Sequence, residues 1–144
     1  LMKINMGYLR QEEEVKVISG QKMQHPIESL EAVLNLADVL KLQEEVKKID
    51  VAQGILAYIV SLVAATRKME DLRTGASPRA SIALMKASCA WAFLEGRDYV
   101  IPDDVANLLP WVLKHRIVLD SKALIAGKTP EQIVSELTRN IPVP

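Results

Sequence analysis

The sequence is poor in the residue types that build disulfide frameworks, β-barrels and membrane spans. Its 144 residues include one cysteine, six glycines and only 4% aromatic side chains. A single cysteine excludes an internal disulfide, and the scarcity of aromatics and glycine disfavours a sandwich or a barrel. The longest apolar run, GILAYIVSLVAA, falls short of the roughly 20 residues that a membrane helix needs. We therefore expect no membrane span.

The chain also lacks an excess of charge of either sign. Lys+Arg and Asp+Glu both total 18, so the formal net charge is zero. Such a chain has no overall attraction to nucleic acid or to anionic membranes. Hydrophobic residues make up 49% of the sequence, which indicates a folded core rather than disorder. The lone thiol, Cys89, lies among apolar neighbours and is interpreted as a small core residue; we expect a cytoplasmic protein.

Motifs that hold phosphates or metals are absent from the sequence. It contains neither G-x-x-x-x-G-K-[ST] nor G-x-G-x-x-G. His25 and His115 have no cysteine or second histidine at ligand spacing, so no metal site is expected. Asp103 and Asp104 resemble paired carboxylates, but both fall in the first turn of a predicted helix, where acids favour the helix dipole. We expect no catalytic residue within this chain.

Apolar residues recur at helical spacing along most of the sequence. The helical segments are QEEEVKVISG, NLADVLKLQEEVKKI, AQGILAYIVSLVAATRK, residues 77–95, PDDVANLLPWVLKHRI and KTPEQIVSELTRNI. The third segment is apolar nearly all round, which favours a central place in a bundle, and Pro110 is expected to kink or divide the fifth. Residues 1–6 alternate as in a short strand. The predicted class is mainly α, a helical bundle with one short N-terminal strand.

One helix start carries a cation in its first turn. Ser77 is expected to be the N-cap whose side chain accepts a bond from a backbone amide, and Pro78 suits the first helical position. Arg79 then lies among exposed amides at the positive end of the helix dipole, where an anion would neutralise it. A guanidinium beside a helix N-terminus makes a good phosphate site. On the tripeptide alone, a surface arginine that covers apolar neighbours is the preferred interpretation.

A longer stretch around Arg79 resembles a known family. TGASPRASIALMKASCAWAFLEGRDYVIPDDVANLLPWVLKHRI is similar to the C-terminal part of the MoxR family of AAA+ ATPases, in the phrases GASPRA, GRDYV, PDDV and VLKHR. Upstream, YIVSLVAATRK resembles the family's helix that ends in Thr-Arg, and LMKINMGY resembles its last core strand. The sequence departs from the family at Ile101, where Thr or Ser is usual, and at Leu9, where proline is usual.

The resemblance implies an AAA+ lid-type helical bundle. Residues 1–22 would be the last strand and helix of the α/β core, and residues 23–144 the helical lid. The phosphate loop, the Mg²⁺ ligand and the residue that positions water would lie upstream of Leu1, in a longer protein of which this chain is a fragment. ATP and Mg²⁺ would bind that parent protein, and the fragment alone should bind neither and hydrolyse no ATP.

The resemblance also implies roles for individual residues. Arg79 matches the sensor-2 arginine, which reaches the γ-phosphate of ATP in cis or in trans, with Ser77 and Pro78 in the same nucleotide-binding turn. Arg67, Arg97 and Arg116 are family-type basic residues that face the nucleotide or a subunit boundary, or else tie helix ends together. The implied partners are the AAA+ core, neighbouring subunits of a ring, taken to be a hexamer, and client proteins that include von Willebrand factor A domain proteins, remodelled in a chaperone-like reaction.

Two other classes of function remain open at this stage. A freestanding helical adaptor that binds a protein partner is compatible with the apolar composition. A helical nucleic-acid-binding module would use PDDVANLLPWVLKHRI as a recognition helix, but the zero net charge argues against it.

Overall fold

The computed structural model describes residues 1–21 and 25–144, and within them the chain is mostly helical. The α-helices are α1 Gln11–Gly20, α2 Leu36–Val46, α3 Gln53–Ala65, α4 Pro78–Leu94, α5 Pro102–Leu113, α6 Ser121–Ile125 and α7 Pro130–Asn140. A 3₁₀ helix covers Pro26–Ser29, and strands β1 Leu72–Thr74 and β2 Val118–Leu119 pair antiparallel. The predicted mainly α class is confirmed. No described helix is long and apolar enough to cross a membrane.

The chain divides into two compact units. The smaller unit, Ile4–Leu42, contains α1, the 3₁₀ helix and the first part of α2, and none of its described residues is buried. α2 begins with a reciprocal cap: the amide of Asp38 donates to Oδ1 of Asn35 over 2.9 Å, and the amide of Asn35 donates to Oδ2 of Asp38 over 3.1 Å. Asn35 is thus the N-cap of α2. The expected domain boundary between residues 22 and 23 lies outside the described residues.

The larger unit, Leu1–Lys3 with Gln43–Pro144, holds the hydrophobic core. α4 packs against α3 and α5, and α5 also packs against α7. The largest fully buried apolar side chains are Ile59, Leu62, Leu84, Leu109, Leu113 and Ile133. α4 contributes mostly small buried residues, which lets neighbouring helices approach it closely; these are Ala80, Ala83, Ala87, Ser88, Cys89 and Ala92.

The predicted N-terminal strand over residues 1–6 is wrong, because residues 1–10 contain no strand. A strand needs a paired neighbour, and within the described residues this segment makes one backbone bond to a helix end, from the amide of Lys3 to the carbonyl of Trp111 (2.9 Å). The sheet forms elsewhere, between β1 and β2. Strands of two or three residues are too short to show a period in the sequence.

Two helices differ from their predicted form. α5 runs without a break through Pro110, although proline removes one backbone hydrogen bond. The flanking residues Leu109 and Val112 are fully buried, and this packing holds the helix together. α3 is not surrounded by protein, because Ala57 and Val60 on one of its faces are exposed. The opposite face of α3 is buried against the core, and this contact is sufficient to hold the helix in place.

Candidate functional site

The first turn of α4 places Arg79 at an open helix N-terminus. Pro78 occupies the first helical position and Ser77 the N-cap position, as predicted. The predicted side-chain cap is wrong, because the Ser77 hydroxyl accepts no bond from any residue that the structure describes. The carbonyl of Ser77 instead accepts from the amide of Ala80 over 2.8 Å, and this is one of the two amides that a capping hydroxyl would bind.

The guanidinium of Arg79 is exposed and has no hydrogen bond or ion pair within residues 1–21 and 25–144. The backbone amide of Arg79 also has no hydrogen-bond partner in the described chain. Of its two neighbours, Pro78 has no amide to donate and Ala80 donates to the carbonyl of Ser77. One cationic fork and one free amide therefore lie together at the positive end of the α4 dipole. Both are donors, and an anion is the ligand that satisfies them.

A hydrogen-bonded clamp joins the end of α3 to the residue before Ser77. The amide of Ala76 donates to Oγ1 of Thr66 over 2.9 Å, and the carbonyl of Ala76 accepts from Nε of Arg67 over 2.9 Å. Thr66 is fully buried, and its hydroxyl also donates to the carbonyl of Val63 over 2.6 Å. We call these two bonds between Thr66, Arg67 and Ala76 the Ala76 clamp. It fixes the chain just before α4 begins.

Gly75 allows the Ala76 clamp to close. A Cβ added at Gly75 would lie 2.7 Å from Cα of Arg67, 2.7 Å from the carbonyl oxygen of Thr66 and 2.8 Å from the amide nitrogen of Arg67. These are backbone atoms of the α3 end, which cannot turn away as a flexible side chain would. Glycine is therefore required here for close approach of two chain segments.

We predict that Gly75→Ala lowers the free energy of unfolding by about 2 kcal/mol, because the methyl group must push the two backbones apart. The measurement is urea denaturation followed by circular dichroism. Gly54→Ala is the matched control: its Cβ would meet Pro144 at an ordinary 3.5 Å, and alanine suits the helical position better. Equal stability of the two variants would show that the close approach at Gly75 is unimportant.

Arg97 has a structural role. Its guanidinium binds both carboxylate oxygens of Asp104, over 2.9 and 2.6 Å, and donates to the carbonyl of Tyr99. Oδ2 of Asp104 also accepts from the amide of Ile101 over 3.0 Å. Ile101 provides no side-chain cap, so Asp104 satisfies this amide instead. The hydrogen bond to Asp104 raises the pKa of Arg97. Of the two interpretations of Arg97, the structure favours the one in which it ties helix ends together.

Arg116 also acts locally. Its Nη1 donates to the carbonyl of Val112 over 2.6 Å and contacts Nε2 of His115, so it binds the C-terminal turn of α5. Burial lowers the pKa of His115, and the charge of Arg116 lowers it further, with smaller effects from the N-terminal amine, Lys3 and Lys114. A neutral imidazole can accept the bond from Arg116. Arg116 is remote in the sequence from Arg79, and nothing in the described contacts brings the two together.

The remaining candidates give no second chemical site. Cys89 is buried, and burial raises the pKa of its thiol, which makes it a poor nucleophile. Among the described residues, no group of three histidine, cysteine or acidic side chains could hold a metal. Sequence reasoning found Arg79 and Arg67 but missed Thr66 and Gly75. The signal was present in the phrases ATRK and TGASPRA, which the fold joins into one clamp.

Comparison with known proteins identifies the family of the chain. The AAA lid domain family matches residues 64–137, a range that includes the Ala76 clamp and Arg79. The chain is 45% identical to the uncharacterized protein YeaC of Bacillus subtilis, in a match that covers the whole of this chain and 45% of YeaC. It is 37% identical to the chaperone MoxR1 of Mycobacterium tuberculosis, over its full length and 40% of MoxR1.

A solved structure has a similar fold. The crystal structure of a proposed ATPase from Cytophaga hutchinsonii matches 99% of this chain and 46% of that protein, with a TM-score of 0.85 and 31% identity. The fold and the site together define the class of this chain. It is a helical lid domain in which one helix begins with an exposed arginine. The chain belongs to the AAA lid domain family and is related to the MoxR chaperone-like AAA+ proteins. It spans less than half the length of these relatives.

Proposed function

We propose that the chain is the lid of a MoxR-like AAA+ ATPase and that Arg79 is its sensor-2 arginine, which contacts the γ-phosphate of ATP bound by the core. The observation that carries the proposal is the exposed guanidinium of Arg79, without a partner in the described chain, beside a free amide at the start of α4. Ser77 and Pro78 belong to the same turn, and Arg67 supplies a second cation through the Ala76 clamp.

The response to nucleotide follows from charge. ATP presents a terminal phosphoryl group that ADP lacks, so Arg79 interacts with the two nucleotides with different free energies. A ligand shifts a conformational equilibrium only by such a difference. Arg79 lies in the first turn of α4, and α4 packs on α3 and α5, so the preferred position of the lid changes on hydrolysis.

The chain's own residues fit a terminal phosphate but supply no phosphate loop. In this proposal the core holds ATP and Mg²⁺, and Arg79 with its amide reaches the outermost phosphate. Mg²⁺ neutralises charge on the phosphates during transfer. The Arg79 fork donates to phosphate oxygens and stabilises the charge that develops there.

The small unit supports a docking role toward the core and ring neighbours. Its large apolar side chains are exposed, among them Leu9, Val15, Ile18, Ile27, Leu30, Val33, Leu34, Leu36 and Leu40. A segment with this many exposed large apolar side chains favours a surface that a partner covers. We assign residues 1–22 to the core and residues 23–144 to the lid of a cytoplasmic, hexameric ring. Because the relative MoxR1 is a chaperone, we propose that this ring remodels client proteins. The resemblance of the sequence to the MoxR family suggests von Willebrand factor A domain proteins among those clients.

We predict that the purified 144-residue chain hydrolyses no ATP, because Arg79 cannot hold a nucleotide without a phosphate loop. The measurement is release of inorganic phosphate at millimolar ATP, with the Arg79→Ala chain alongside. Both should match the buffer blank. Clear turnover that Arg79→Ala leaves unchanged would contradict the assignment of this chain as a lid.

A freestanding adaptor is the second candidate, favoured by the same exposed apolar side chains. The two candidates differ in their dependence on Arg79. Partner binding through the small unit would be unaffected by Arg79→Ala and by nucleotide. The position of a lid, in contrast, depends on both.

A further inference from the structure

We propose that Thr66 and Arg67 are positioning residues for Arg79, which they hold in place through the Ala76 clamp. This inference rests on the proposed function of Arg79. It assigns a role to Thr66, whose buried hydroxyl is bonded to Ala76 and Val63, and it changes the role of Arg67 from direct ligand to support.

The clamp uses both backbone polar groups of a single residue, Ala76. Ala76 is 1% exposed, and its amide and carbonyl go to consecutive residues, Thr66 and Arg67, at the end of α3. The Thr66 hydroxyl is both acceptor, from Ala76, and donor, to Val63. Its orientation is therefore fixed from two sides. A serine could repeat both bonds, whereas a valine of the same shape could make neither.

The clamp sets the direction in which α4 begins. Arg79 follows Ala76 by three positions, and the backbone between them has little freedom, because Pro78 fixes its own φ and the carbonyl of Ser77 is bonded to the amide of Ala80. A rotation of the Ala76 peptide would therefore change the orientation of the whole first turn of α4. At a reacting centre, a misplacement of about 1 Å can cost roughly a hundredfold in rate.

Arg67 uses only part of its guanidinium in the clamp. Nε donates to Ala76, and the two terminal nitrogens have no partner among the residues described. A direct contact of these nitrogens with the same phosphate is therefore the alternative that the test must separate from support of Arg79. A double-mutant cycle with Arg79 separates these roles. A positioning residue loses its effect once Arg79 is gone, whereas a direct contact keeps one.

The test is made in the AAA+ protein that carries this chain, by steady-state ATP hydrolysis with separate kcat and KM. The variants are Thr66→Val, Thr66→Ser and Arg67→Ala, each alone and combined with Arg79→Ala. Thr138→Val is the matched control, because the Thr138 hydroxyl donates to the carbonyl of Ser135 (2.9 Å) in the same way but far from the clamp in the chain.

Thr66→Val and Arg67→Ala should each lower kcat about tenfold, the upper range for one lost hydrogen bond, with KM changed less. Thr66→Ser and Thr138→Val should stay within about twofold of the unaltered protein. In the Arg79→Ala background, neither Thr66→Val nor Arg67→Ala should lower kcat further by more than about twofold. Arg67 is exposed, so Arg67→Ala keeps the test usable if Thr66→Val fails to fold.

Each of the other possible outcomes would contradict one named part of the proposal. If Arg79→Ala lowers kcat but Thr66→Val and Arg67→Ala do not, the positioning role is wrong and the proposed function stands. If either effect persists undiminished in the Arg79→Ala background, that residue acts independently of Arg79. If Arg79→Ala itself changes nothing, the proposed function fails, and this inference fails with it.

Discussion

Replacing Asp104 by alanine should lower the free energy of unfolding by about 3 kcal/mol. The Asp104 side chain is 3% exposed and its partner Arg97 is 22% exposed. The substitution removes two charge-assisted bonds to Arg97 and the bond to the amide of Ile101. It leaves a mostly enclosed guanidinium with the carbonyl of Tyr99 as its remaining acceptor and the amide of Ile101 without one, and unmade bonds to charged groups are expensive.

The neighbouring acid provides the control for this prediction. Asp103 lies in the same helical turn but is exposed, so Asp103→Ala should change stability by no more than about 0.5 kcal/mol. Asp104→Asn keeps the shape and one acceptor, and it should fall between the two. Denaturant titration of the isolated chain measures all three. If Asp103→Ala and Asp104→Ala were equally mild, the pair would contribute little to the fold.

Replacing Arg79 by alanine should reduce ATP turnover of the AAA+ protein by about a hundredfold. Removal of one donor that stabilises transition-state charge costs roughly that much in enzymes with preorganised sites. The loss should appear mainly in kcat, because Arg79 would meet the γ-phosphate where charge develops rather than the base or the sugar. Lysine at this position should restore part of the rate, since it keeps the charge but loses the two-pronged donor geometry.

Arg73 is the matched control for Arg79. It lies in β1, is exposed, and has no hydrogen bond or ion pair within the described ranges. Arg73→Ala should therefore leave turnover within about twofold. A comparable fall for Arg73→Ala and Arg79→Ala would indicate a general effect of surface charge, and an unchanged rate for Arg79→Ala would remove the basis of the sensor-2 assignment.

The helices with strong local signals could be predicted from the sequence. The helix expected over residues 77–95 is observed as Pro78–Leu94, because proline at its start and glycine after its end are both local signals. α7 was predicted from its helical spacing, and Thr129 and Gln132 form a reciprocal cap at its start. Local chemistry decides where such helices begin and end, so no tertiary information is needed.

The features that were missed depend on contacts between distant residues. The Ala76 clamp joins positions nine and ten apart in the sequence, and no local period reports such bonds. The Ser77 hydroxyl remained free because its own carbonyl took the amide of Ala80. Pro110 was tolerated because α5 is buried on both sides of it. Sequence therefore located the arginine of the site but not what holds it.

The most direct test of the sensor-2 assignment is the affinity of the AAA+ protein for ADP and for a non-hydrolysable ATP analogue, with and without Arg79→Ala. If Arg79 contacts the γ-phosphate, the substitution should weaken binding of the ATP analogue about tenfold, the equivalent of one charge-assisted hydrogen bond, and leave ADP binding within about twofold. Equal weakening of both nucleotides, or of neither, would contradict it.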